Sequence, residues 1–235
     1  MLTVHETREG RYLDSMPWFL GLGRAIPAAV LAIVITFSAD HSARLGLVAF
    51  GAYALASGLA TAIVVLTRVA PGTVRLVVLC QAAVAVVTGG VALAMPGGGY
   101  AYFVLVLSGY AVVSGFLELY LGARSWRRSS TSLTVLSSAS SSVPPPSSAP
   151  SSVARDWVFV GALSVALAVI AFLIPANFNQ PFSVEGISGA VTASVALVGV
   201  FGAYLAIISI FLAIASFSLK WSATQPPKQS SPLEA

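Results

Sequence analysis

The apolar residues of this chain do not alternate with polar ones over short distances. They gather into six long runs, at about 17–37, 45–67, 75–95, 100–123, 156–174 and 189–219. Each is long enough to cross a hydrocarbon layer of ~30 Å, which takes ~20 helical residues. A lipid-embedded backbone must satisfy its own hydrogen bonds, so helices are expected. A membrane barrel would instead show shorter segments alternating between apolar and polar. The last run is longer than a crossing needs and is expected to tilt or project into water.

The breaks between runs differ in kind. Those at 38–44 and 96–99 are short, and 68–74 carries the turn signal Pro71-Gly72. The segment Ala176–Ser188 is longer and more polar. Between 124 and 155 lies SSASSSVPPPSSAPSS, a Ser/Pro stretch with too little apolar content to build a core. The expected organisation follows. Residues 1–16 form an N-terminal tail and 17–123 hold the first four helices. Residues 124–155 form a disordered linker, 156–219 hold two further helices, and 220–235 form a disordered tail.

Composition agrees with a membrane protein. Of 235 residues 57% are hydrophobic and only 9% charged, against about 25% in soluble domains. The net charge of +4 forms no nucleic-acid-binding patch, because the basic residues sit in the breaks. Eleven of the twelve Lys and Arg residues fall on one predicted side, with Arg44 alone on the other. The positive-inside rule then puts both termini and the Ser/Pro linker in the cytoplasm. Trp18, Trp126, Trp157 and Trp221 fall at the same ends of the runs, where interfacial rings belong. The expected fold class is therefore an all-α integral membrane protein. Its six transmembrane helices are read as three consecutive helical hairpins.

A short phrase supports the count of three. FGAY occurs at Phe50–Tyr53 and again at Phe201–Tyr204, and Tyr-Ala-x-x-Ser-Gly occurs at Tyr53–Gly58 and Tyr110–Gly115. Paired as 1–2, 3–4 and 5–6, the runs place this phrase in the second helix of every hairpin. Residues four apart share a helix face. Tyr53 with Ser57, and Tyr110 with Ser114, thus align. Ala54 with Gly58, Ala111 with Gly115, and Gly202 with Ala206 form small-xxx-small faces that let helices approach closely in lipid. Near Tyr204 the Ser-Gly pair is absent, so packing there is expected to be least symmetric.

GRAIPAAVLAIVITF, QAAVAVVTGGVALAMPG and GALSVALAVIAFLIP resemble the first helix of the HdeD-like repeat, and GYAVVSGFLELYLGAR resembles its second. That family consists of bacterial membrane proteins built from short helical hairpins of unknown function. The resemblance covers most of 18–219 and implies a six-helix protein of the bacterial inner membrane. It also implies a role in acid or envelope stress.

Two charges fall inside the runs. Arg24 lies about seven positions past the start of the first, and Glu118 about six before the end of the fourth. At 1.5 Å per residue both sit ~10 Å inside their helix ends. A charge at the bilayer centre costs about 2.5–3.5 kcal/mol on insertion scales. Pairing reduces that cost, so Arg24 and Glu118 are a candidate intramembrane pair. Gln81 is the other polar residue that stands out within a run.

No catalytic constellation is visible. His5 and His41 are expected on opposite sides, and no GxSxG, HExxH or phosphate-binding glycine loop occurs. No cofactor is expected. The single cysteine, Cys80, is expected to be a buried apolar residue. The reading is a non-enzymatic protein of envelope or acid-stress physiology, in contact with the lipid bilayer and not with nucleic acid. A second copy or another membrane protein is an admissible partner. The alternatives are a small transporter or channel using Arg24 and Glu118, and a scaffold acting through the Ser/Pro linker.

Overall fold

A computed structural model describes residues 17–137, 152–184 and 187–224. The N-terminal tail at 1–16, the middle of the Ser/Pro stretch and the last eleven residues of the C-terminal tail lie outside the described residues. Six helices are long and apolar enough to cross a membrane. They are α1 (Phe19–Phe37), α2 (Ala43–Arg68), α3 (Thr73–Ala94), α4 (Gly99–Ser137), α5 (Ser152–Leu173) and α6 (Ala193–Thr224).

Local chemistry sets several of the ends. Ser42 caps α2 by accepting from the Leu45 amide, and Asp40 in turn holds the Ser42 amide and hydroxyl. Gly99, at φ 77°, supplies the left-handed turn by which the chain enters α4. Pro27 lies inside α1, where it cannot donate to the Gly23 carbonyl. The helix nevertheless continues to Phe37.

Two boundaries differ from the sequence expectation. Residues 189–192 do not begin the last helix. They belong to β2 (Ile187–Thr192), which pairs antiparallel with β1 (Asn179–Val184) before α6 starts at Ala193. The Phe182 ring lies against Gly189, where a side chain would collide with it. Helical structure also enters the 124–155 segment from both sides, since α4 runs to Ser137 and α5 begins at Ser152. Leu133, Val135 and Leu136 are good helix formers or apolar, whereas the prolines that stop a helix begin only at Pro144.

The bundle has an inner and an outer set. Half of the spanning window (50%) is buried in α2, α4 and α6, against 33% in α1, α3 and α5. The three inner helices also touch one another. The closest packing, however, runs across the expected hairpins. It joins α2 to α3, α4 to α5, and α6 to α1, whereas α1–α2, α3–α4 and especially α5–α6 touch less.

Small residues explain the close pairs. A Cβ on Gly115 would meet the Gly161 carbonyl at 2.9 Å, and one on Gly161 the Gly115 carbonyl at 2.8 Å. The α4 and α5 backbones are therefore nearly in contact. Gly89 lies equally close to the Gly51 carbonyl, and Gly58 to that of Ala82, along α2 and α3. In lipid there is no hydrophobic drive between helices, so contact of this kind carries the association. The outer end of the bundle is filled by the buried rings of Phe50, Tyr53, Phe103 and Phe201, which meet edge to face at 6.0–6.4 Å around Phe201. Cys80 is exposed on the outer surface of α3 rather than buried, because the inward face of that helix is taken by Val78, Gln81 and Ala82.

Candidate functional site

Glu118 is the centre of the bundle's polar chemistry. It is 0% exposed. Its Oε1 accepts from Arg24 Nη1 at 2.6 Å and from Gln81 Nε2 at 2.6 Å. Its Oε2 accepts from Ser164 Oγ at 3.5 Å. The Gln81 amide also donates to Ser114 Oγ at 2.8 Å. Ser164 in turn shares a hydrogen bond with the Tyr204 hydroxyl at 3.0 Å. One carboxylate and its neighbours thus tie α1, α3, α5 and α6 to α4.

The helix register explains why these residues meet. Ser114 and Glu118 are four apart and share a face of α4. Arg24 and Gln81 are 57 residues apart, the same offset as Tyr53 and Tyr110. They occupy matching places on two outer helices and reach the same carboxylate. Both oxygens of Glu118 are supplied with donors, as a carboxylate in a low-dielectric interior requires.

The helix-packing candidates all lie on inward faces. Tyr53, Ala54, Ser57, Gly58, Tyr110, Ala111, Ser114, Gly115, Gly202 and Tyr204 are buried, and Ala206 is half-buried. Gly58 and Gly115 contact the following helix in the chain, and Gly202 sits against Ile35 of α1. The three tyrosines differ. Tyr204 has its partner in Ser164, and Tyr110 packs edge to face on Phe50 at 5.4 Å. The Tyr53 hydroxyl is buried without a hydrogen-bond partner. Ser164 and Tyr204 enter the network without any distinctive sequence signal, being one serine among many and one tyrosine read for packing. Gln81 had one: its 57-residue offset from Arg24.

Space reaches this cluster from one end. A cavity of about 90 Å³ runs from Trp18, Asp156 and Trp157 near the starts of α1 and α5 to Arg24, Thr61 and Gln81 at depth. A second pocket of about 10 Å³ lies beyond Arg24, against Ser57, Thr61 and Tyr110. That is about enough for one water. The same end of the bundle carries Lys220, with its ammonium 4.8 Å from the Trp18 ring, and Arg68, whose guanidinium lies 6.0 Å from the Phe19 ring. Arg75 is there too, donating to the Val69 carbonyl at 3.1 Å. Among the described residues no three His, Cys, Asp or Glu side chains form a metal-binding group.

Comparison with known families adds one match. Residues 80–142 match a family described as a short repeat of unknown function, DUF308. The matched segment contains Gln81, Ser114 and Glu118, the α3 and α4 share of the polar cluster. It covers less than half of the chain. No curated protein and no solved structure is detectably similar to this chain. The six apolar helices and the DUF308 match together point to a multi-pass membrane protein.

Proposed function

We propose that this chain is a non-enzymatic, HdeD-like protein of the bacterial inner membrane that serves envelope or acid-stress physiology. In this reading its three hairpin repeats form one bundle with both termini in the cytoplasm. Arg68, Arg75 and Lys220 gathered at one end support that orientation through the positive-inside rule. The observation that carries the non-enzymatic part is the state of Glu118. Its oxygens are occupied by Arg24, Gln81 and Ser164, so the carboxylate acts as a tie between helices rather than as a poised base. General bases need a hydrogen-bonding route to a substrate proton. The test is survival of a deletion strain at low pH and under envelope stress. The wild-type gene restores survival and Glu118→Gln does not. Unchanged survival of the deletion strain would remove the reading.

A second reading, a small transporter, is favoured by the cavity that ends on Arg24 and Gln81. Solute flux into proteoliposomes, with and without a pH gradient, separates the two. The first reading expects no flux above empty vesicles.

A further inference from the structure

The cavity ends on a donor that nothing satisfies. Arg24 Nη1 is committed to Glu118, but Nη2 is buried and has no hydrogen-bond partner. Arg24 as a whole is only 9% exposed and lines the cavity. A buried donor without an acceptor is costly, and guanidinium groups accept carboxylates on a planar fork. The hydroxyl of Thr61 lines the same deep end. The walls above are aliphatic, with Val78, Val160 and Leu212 among them. Such walls suit a hydrocarbon tail and disfavour a fully hydrated inorganic anion. The volume, about 90 Å³, corresponds to about three waters' share of liquid and suits a molecule of a few heavy atoms.

From these features we infer that the cavity is a binding site for a small aliphatic monocarboxylate. Its carboxylate sits on the Nη2 edge of Arg24, and its tail lies along Val78, Val160 and Leu212. The charges around the site come from several elements. Glu118 on α4 takes the opposite edge of Arg24, and its charge is spread over donors from α1, α3 and α5. Asp156 at the mouth opposes an entering anion. Arg155 beside it in sequence, and Lys220 on α6 over the Trp18 ring, offset it. Tyr53, Tyr110 and Tyr204 flank Arg24 as neutral phenols. The inference rests on the membrane-bundle reading above, and not on a stress role or on transport.

The experiment uses the full chain in lipid nanodiscs, titrated with propanoate. The readouts are tryptophan fluorescence, to which Trp18 and Trp157 at the mouth contribute, and the thermal unfolding midpoint. Propanol, propylammonium and chloride are titrated in parallel. The expected result is a saturable change with millimolar propanoate only. Arg24→Lys keeps the charge but loses the fork, and is expected to bind about tenfold more weakly. Ala215→Phe, at a position lining the cavity, is expected to abolish the response while the unfolding midpoint stays near wild type. The inference is overturned by no saturable response, by an equal response to propanol or chloride, or by responses that neither substitution changes. Failure of the chain to enter nanodiscs would overturn the membrane reading itself. A null titration on inserted, folded protein overturns the site alone.

Discussion

Neutralising one member of the Arg24–Glu118 pair leaves the other charge buried. The two are linked at 2.6 Å, with Glu118 fully buried and the Arg24 side chain 11% exposed. Breaking a buried pair by removing one partner costs about 3–5 kcal/mol in soluble proteins. Measured polar contacts in membranes are weaker, because the unfolded reference state also finds partners. A value near the insertion cost, about 3 kcal/mol, is therefore expected for Arg24→Gln and for Glu118→Gln separately. The double variant keeps an amide at each position and buries no net charge, so it should lose only about 1 kcal/mol. The coupling between the two sites then exceeds about 2 kcal/mol. For a chain of this size each kcal/mol moves the midpoint by about 2–4 °C, so each single variant should fall by about 6–12 °C. Circular dichroism melts in one detergent, on all four proteins, provide the comparison. If each single change costs under about 0.5 kcal/mol and the double equals their sum, Glu118 is not the tie described here.

Three further outcomes follow from the packing. Gly115→Ala places a methyl 2.9 Å from the Gly161 carbonyl and should cost about 1–3 kcal/mol, whereas Gly90→Ala, with open space around it, should stay within about 0.5 kcal/mol; unfolding midpoints in detergent distinguish them. Tyr204→Phe removes the bond to Ser164 and should cost about 0.6 kcal/mol or more, while Tyr53→Phe removes only an unpartnered hydroxyl and should be neutral or stabilising. Replacing 176–191 with a short polar turn should leave the bundle's midpoint nearly unchanged, since the β-hairpin's contacts with the bundle are confined mainly to the start of α6; a large loss of helical signal would show the hairpin to be part of the core.

The helices were legible because lipid crossing demands long apolar runs, and five of the six matched helices begin and end within a few residues of their runs. The β-hairpin was not, because Ile187–Thr192 continues directly into the apolar start of α6 without a break in hydropathy. Helix partners were also hidden. Gly58 and Gly115 announce a close approach, but a small residue carries no information about which neighbour arrives, and the structure brings α3 and α5 rather than α1 and α3. Depth alone placed Arg24 and Glu118 at one level. Register was needed to see that Gln81 and Ser164 reach the same carboxylate.

The central claim is a polar cluster at the heart of a membrane bundle, open only toward the cytoplasm. Thr61 lines the cavity at the depth of Arg24. A Thr61→Cys variant, made with Cys80 replaced by serine, reports on that access through a small, membrane-impermeant thiosulfonate reagent. Labelling in inside-out vesicles and protection in right-side-out vesicles is the predicted result. Labelling from the outer side, or equally from both, would contradict it.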